Sequence, residues 1–135
     1  MVSDRLTRGL LDTSVVVDLD LFSAHQLPVD LAISVITLAE LTAGPAASTD
    51  SEERARRQDR LQRVEAVFDP LPFDVEAARA FGRVQAAVLQ RGCQPRRRFA
   101  DLLIAATALA EELPLVTRNA DDFVGLERLI TVVEV

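Results

Sequence analysis

Short aliphatic runs alternate with longer helical stretches along the whole chain, and this alternation restricts the fold more than any other feature. Gly9-Leu10-Leu11, residues 31–35, Leu71-Pro72-Phe73, residues 114–117 and residues 129–133 read as five strands. Helices are predicted over residues 15–21, 36–43, 52–68, 75 to about 90, and 99–110. Antiparallel strands are joined by tight turns, whereas parallel strands need a crossover, usually a helix. The order therefore predicts an α/β fold: a parallel sheet with helices on both faces. No repeat and no change of composition divides the chain, so residues 1–135 are read as a single domain.

Local chemistry supports the element boundaries. Gly44-Pro45 ends the second helix, and residues 46–51 are small and polar enough to serve as a mobile linker. In the third helix Leu61, Val64, Val67 and Phe68 recur at helical spacing. Arg54, Arg56, Arg57, Arg60 and Arg63 alternate there with acids, the pattern of a solvated face with i,i+4 pairs. Asp69-Pro70 breaks that helix and Asp74 caps the next, with Val75, Ala78, Phe81, Val84, Val88 and Leu89 expected inside. The stretch Leu102 to Ala110 is apolar nearly all round, which predicts a deeply buried helix. His25 has no neighbouring His or Cys and is expected on the surface.

Composition narrows the function classes. With 49% hydrophobic and 27% charged residues the chain is expected to be soluble and globular, with no run long enough to span a bilayer. Its aromatic residues, 4%, are all Phe, so platforms for base stacking are scarce. The single cysteine, Cys93, cannot form an internal disulfide, and the first residues lack an export signal; both point to the cytoplasm. A formal charge of −6 argues against holding nucleic acid by bulk electrostatics. All 15 basic residues are Arg, and Arg suits bidentate phosphate contacts better than Lys.

Four polar residues interrupt apolar surroundings: Asp12, Glu40, Asp101 and Asn119. Each falls just past a strand or at a helix that feeds one, and in a parallel sheet such points share one rim, where ligands bind. Singly they have plainer readings: Asp12 and Asp101 as helix caps, Glu40 as an acid on an exposed helical face. Together they are carboxylates that repel, and that need a cation or protons to coexist. An all-oxygen set without paired His or Cys suits Mg²⁺ or Mn²⁺ rather than Zn²⁺. Arg118 and the Arg96-Arg97-Arg98 run are ordinary surface charge or candidate contacts to a phosphate.

Leu11-Asp12-Thr13-Ser14, Thr37-Leu38-Ala39-Glu40-Leu41, the run from Ala100-Asp101-Leu102 to Ala108, and Val116-Thr117-Arg118-Asn119 together resemble the PIN-domain ribonucleases. Within them the chain looks most like the VapC toxins of toxin–antitoxin pairs. The match spans nearly the whole chain in order, and its third segment is the most specific. The resemblance implies an α/β/α sandwich whose five-stranded parallel sheet is ordered 3-2-1-4-5. It implies that Asp12, Glu40 and Asp101 hold Mg²⁺, with Mn²⁺ as a substitute. Thr13, Ser14 and Thr117 are implied to orient these acids or bind phosphate. Asn119 stands where many members carry a fourth acid, and Asp121 or Asp122 is near enough in sequence to replace it. Implied partners are an RNA substrate, with Arg118 and the Arg96-Arg97-Arg98 run as candidate contacts to its backbone, a VapB-type antitoxin whose extended C-terminal segment wraps the chain, and a second copy of the chain. The clustered carboxylates suggest that an Arg or Lys of the antitoxin takes the cation's place. The helices over 15–21 and 37–43 are expected to form the antitoxin's apolar groove.

Two other rim-acid families fit less well. Response-regulator receivers need a rim Lys, which is absent, and haloacid-dehalogenase phosphatases need Asp-x-Asp-x-Thr where this chain has Asp12-Thr13-Ser14. A catalytically silent PIN-like module that binds RNA or protein is the non-enzymatic alternative.

Overall fold

The computed structural model describes residues 5–92 and 98–135. Cys93 and the basic residues Arg96 and Arg97 lie outside them. Strands β1 (Arg8–Leu11), β2 (Asp30–Ala32), β3 (Leu115–Thr117) and β4 (Val132–Glu134) form a parallel sheet in the order β2-β1-β3-β4. The chain winds outward from β1 on one side and then restarts at β3 on the other. The switch point therefore lies between β1 and β3, as the strand order implied by the resemblance requires.

The class and the strand order agree with expectation; the strand count does not. The expected third strand is reduced to Leu71, whose N–H donates to the Ile33 carbonyl (2.8 Å) and whose carbonyl accepts from Val35 N–H (2.9 Å). It occupies the predicted edge place beside β2. Pro70 and Pro72 flank it without N–H groups, and from Ser34 onward its partner chain turns into a helix, so the ladder cannot extend.

Period-2 alternation sends neighbouring strand residues to opposite faces. Leu10 and Leu115 pack with α4 (Val75–Gln90), α5 (Phe99–Ala110), Phe123, Leu126 and Ile130. Leu11 and Val116 pack with α1 (Thr13–Val16), α2 (Val35–Ala43) and α3 (Ser51–Val67) through Val15, Leu41, Leu61 and Val64. Each fully buried Leu contributes roughly 1.5–3 kcal/mol, so both layers are held through the strands between them. At Gly9 the layers meet backbone: a Cβ there would lie 2.8 Å from Pro28 Cγ and 3.1 Å from Val116 Cγ2.

Three helical expectations need correction. The first helix is one turn, α1, followed by a separate 3₁₀ turn over Leu19–Leu21, because successive Val15, Val16 and Val17 are poor at propagating a helix. In α4 the inward face is Ala77, Ala80, Val84 and Val88, while Val75, Ala78 and Leu89 are exposed. The small Ala pair lets α4 lie close against α5, and the Phe81 and Phe99 rings meet edge to face at 5.7 Å. The segment after Gly44 is not a loose linker: Pro45–Ala47 is a 3₁₀ turn, and Arg57 and Arg54 of α3 donate to the carbonyls of Gly44 and Pro45. On α3 itself Glu53 pairs with Arg56 and Arg57, the expected solvated pattern. Among the described residues no helix is long and apolar enough to cross a membrane.

Candidate metal-binding rim

Asp12 leaves β1 at its C-terminal end, at the switch point, and is 3% exposed. It occupies the N-cap position of α1, yet its carboxylate makes no capping bond. Instead Oδ2 accepts from Ser14 Oγ (2.9 Å) and from Thr117 Oγ1 (2.7 Å). The polarity of those hydroxyls is set by the backbone. Arg118 N–H donates to Ser14 Oγ (3.2 Å) and Asn119 N–H to Thr117 Oγ1 (3.0 Å), so each hydroxyl's own proton is directed at Asp12. Both bonds fall on Oδ2, and no donor among the described residues reaches Oδ1. A carboxylate held this way is oriented by its donors and keeps one oxygen for a ligand.

Glu40 lies on α2, exposed, and its Oε1 accepts from Thr13 Oγ1 at 2.6 Å. The Thr37 hydroxyl sits 2.9 Å from that of Thr13. With Thr13 donating to Glu40, the fully buried Thr37 donates to Thr13 and fixes it. Ser34 caps α2 by accepting from Thr37 N–H, which sets the pitch at which Thr37 and Glu40 reach the rim.

Asp101 is the third residue of α5, not its cap; Arg98 holds the cap position. Its carboxyl is pushed up to about 7, first by burial and then by the charges of Asp12, Asp122 and Glu40, with Arg98 opposing. Asp12 just past β1, Glu40 of α2 and Asp122 of the 3₁₀ turn Ala120–Phe123 thus each add their charge to Asp101 on α5. Among the described residues, no group of three or more Asp, Glu, His or Cys side chains is placed to hold a metal ion. The rim is an open, repulsive cluster of hard oxygen donors, and that donor chemistry fits Mg²⁺ or Mn²⁺.

The fourth position is also clarified. Asn119 contributes its backbone N–H to Thr117, while its side chain is exposed and makes no hydrogen bond among the described residues. Asp122, rather than Asp121, adds its charge to Asp101. The Asp121 carbonyl is taken by Arg98, whose Nη1 also lies 3.7 Å from Asp122 Oδ1. Arg118 is not pointing at the acids: its guanidinium pairs with Asp18 and lies 5.4 Å over the Phe22 ring. His25 is exposed beside Ser23, as expected.

Sequence reasoning missed Thr37 and the pair Asp18–Phe22. Thr37 reads as an ordinary helical residue; only its register three residues before Glu40 hinted that both share a face. An apolar groove of about 220 Å³ lies beside Val16, Val17 and Leu19, with Val64, Val67 and Phe68 opposite. Its second wall is α3.

A family model described as PIN domain matches residues 10–129. Ribonuclease VapC5 of Mycobacterium tuberculosis (strain ATCC 25618 / H37Rv) is 39% identical over 124 residues, 88% of this chain and 87% of that protein. Ribonuclease VapC8 of the same strain is 36% identical over 101 residues, 74% and 89% of the two chains. Among solved structures, VapBC-5 from Mycobacterium tuberculosis, a member of the VapBC family of toxin-antitoxin systems, matches with a TM-score of 0.81 at 34% identity. That match covers 96% of this chain and 99% of the other. FitAcB from Neisseria gonorrhoeae matches with a TM-score of 0.69 at 27% identity, over 92% and 95%.

Proposed function

The chain belongs to the PIN-domain family, and from that premise we propose that it is the ribonuclease toxin of a toxin–antitoxin pair. The observation that carries the reading is Asp12: buried at the switch point, oriented by two hydroxyls on one oxygen, and adding its charge, with Glu40, to Asp101. Ribonuclease VapC5 and the VapBC-5 complex, similar over most of the chain, support both the reaction and the existence of a partner.

Asp12, Glu40 and Asp101 would hold Mg²⁺ or Mn²⁺, with Asp122 in place of the acid that Asn119 lacks. The ion supplies Lewis-acid polarisation of the phosphodiester and lowers the pKa of a bound water. The chain does the rest. Ser14 and Thr117 keep Asp12 aimed; Thr37, through Thr13, keeps Glu40 turned to the rim. One rim carboxylate accepts the proton of the attacking water, and Arg118 and Arg98 contact the RNA backbone beside the cut.

A nuclease free in the cell needs restraint, and an acidic rim suggests its form. A VapB-type partner that inserts an Arg or Lys would pair with Asp12, Glu40 and Asp101 and exclude the cation. Its apolar residues would occupy the groove between residues 16–19 and α3. A second copy of the chain would bring two rims to one RNA.

The test is RNA cleavage by purified protein with Mg²⁺, compared with Asp101→Asn, together with co-expression of the neighbouring small reading frame. Cleavage lost in the variant, and a stable inactive complex that regains activity when the partner's basic residue becomes Ala, are expected. RNA bound but uncut by the wild type, with or without divalent ions, would leave a silent binding module instead.

A further inference from the structure

An Arg beside an acid cluster has an obvious alternative partner. The Arg118 backbone N–H bonds Ser14 Oγ, which bonds Asp12 Oδ2, so the side chain starts two hydrogen bonds away from the acids. A guanidinium released there would be drawn to Asp12, Glu40 and Asp101, which repel one another and gain from any cation. It would act as a tethered inhibitor in the same way as the basic residue of a partner. The structure shows it diverted. Asp18 pairs with Nη1, and Phe22 offers its ring face to the guanidinium carbon at 5.4 Å. Both side chains of the pair are 39% exposed, so the pair is wet and each member alone is weak. Ring and carboxylate act on the same guanidinium from the one-turn break that follows α1.

We propose that Asp18, seconded by Phe22, is a positioning residue that holds Arg118 off the acidic rim and so keeps the rim open to its divalent cation. The inference rests on the metal-dependent reading above and assigns a role to two residues outside that cluster. Held there, Arg118 still has free N–H donors for an incoming phosphate, since a guanidinium carries five.

The claim makes a signed double-mutant prediction. If releasing Arg118 lets it occupy the acids about nine-tenths of the time, apparent cation affinity falls about tenfold, by the fraction of competent sites. Free Mn²⁺ is followed by electron paramagnetic resonance in titrations of the wild type, Asp18→Asn, Arg118→Gln and the double variant, with no RNA present. Asp18→Asn should bind Mn²⁺ about tenfold more weakly than the wild type. Arg118→Gln should bind at least as tightly as the wild type, and adding Asp18→Asn to it should change nothing further. The melting temperature of each variant in EDTA confirms a folded chain before titration. If Asp18 acts only by its own negative charge, its removal weakens binding equally with or without Arg118, and the proposal is overturned. Unchanged affinity in Asp18→Asn overturns it too. A wild type that binds no Mn²⁺ removes the metal reading itself, a failure visible before any variant is compared.

Discussion

Asp101→Asn should stabilise the cation-free protein at alkaline pH and leave it nearly unchanged in acid. In the folded chain the Asp101 carboxyl is raised from 3.8 to about 7 by burial and by Asp12, Asp122 and Glu40. Between those values the folded state holds a proton that the unfolded chain has released, so stability declines as pH rises through the window and is flat above it. Three pKa units correspond to about 4 kcal/mol at most. Asp101 is partly open to solvent and sits in the first turn of α5, where a negative charge is favoured, so about 2 kcal/mol is the realistic share. Asn keeps the shape and removes the charge. In a domain of this size the gain is roughly 6–10 °C in melting temperature. The assay is thermal and urea unfolding by circular dichroism in EDTA at pH 4.5 and pH 8. A variant less stable than the wild type at pH 8, or a difference that does not shrink toward pH 4.5, would refute the account of the rim as a repulsive cluster.

Millimolar Mg²⁺ should raise the melting temperature of the wild type as RT ln(1 + [L]/Kd) and shift Asp12→Asn little; equal shifts in both would place the site elsewhere. Thr117→Val removes one of the two donors to Asp12 and leaves Asn119 N–H without its acceptor. It should cost about 1–3 kcal/mol in urea unfolding and weaken Mn²⁺ binding, and an unchanged affinity would deny the hydroxyl its orienting role. Gly9→Ala should destabilise by about 1–3 kcal/mol without altering metal affinity per folded molecule, because the added methyl meets Pro28 and Val116 rather than the rim.

The alternation of short aliphatic runs with helices determined the parallel α/β class, and the motif residues in order carried the resemblance to the PIN domain. These are local or sequential facts. An apolar-Asp-Thr-Ser run at Asp12 and an apolar helix behind Asp101 carry their meaning in the sequence, because strand ends and buried faces follow from period and residue type. The edge strand was misjudged: Pro70 and Pro72 flag a weak edge, but whether Leu71 gains one partner or several depends on where β2 turns into α2. In α4 the inward stripe falls on Ala77 and Ala80, residues too small to dominate a hydrophobic pattern until α5 packs against them. Only the tertiary structure could decide the bonding at the rim. Thr117 reaches Asp12 across 105 positions, Arg118 finds Asp18 across 100, and Thr13 meets Glu40 across 27. Sequence lists those donors and acceptors, but which of them come within about 3 Å is set by the sheet order and the α1–α2 packing that bring the strand ends together.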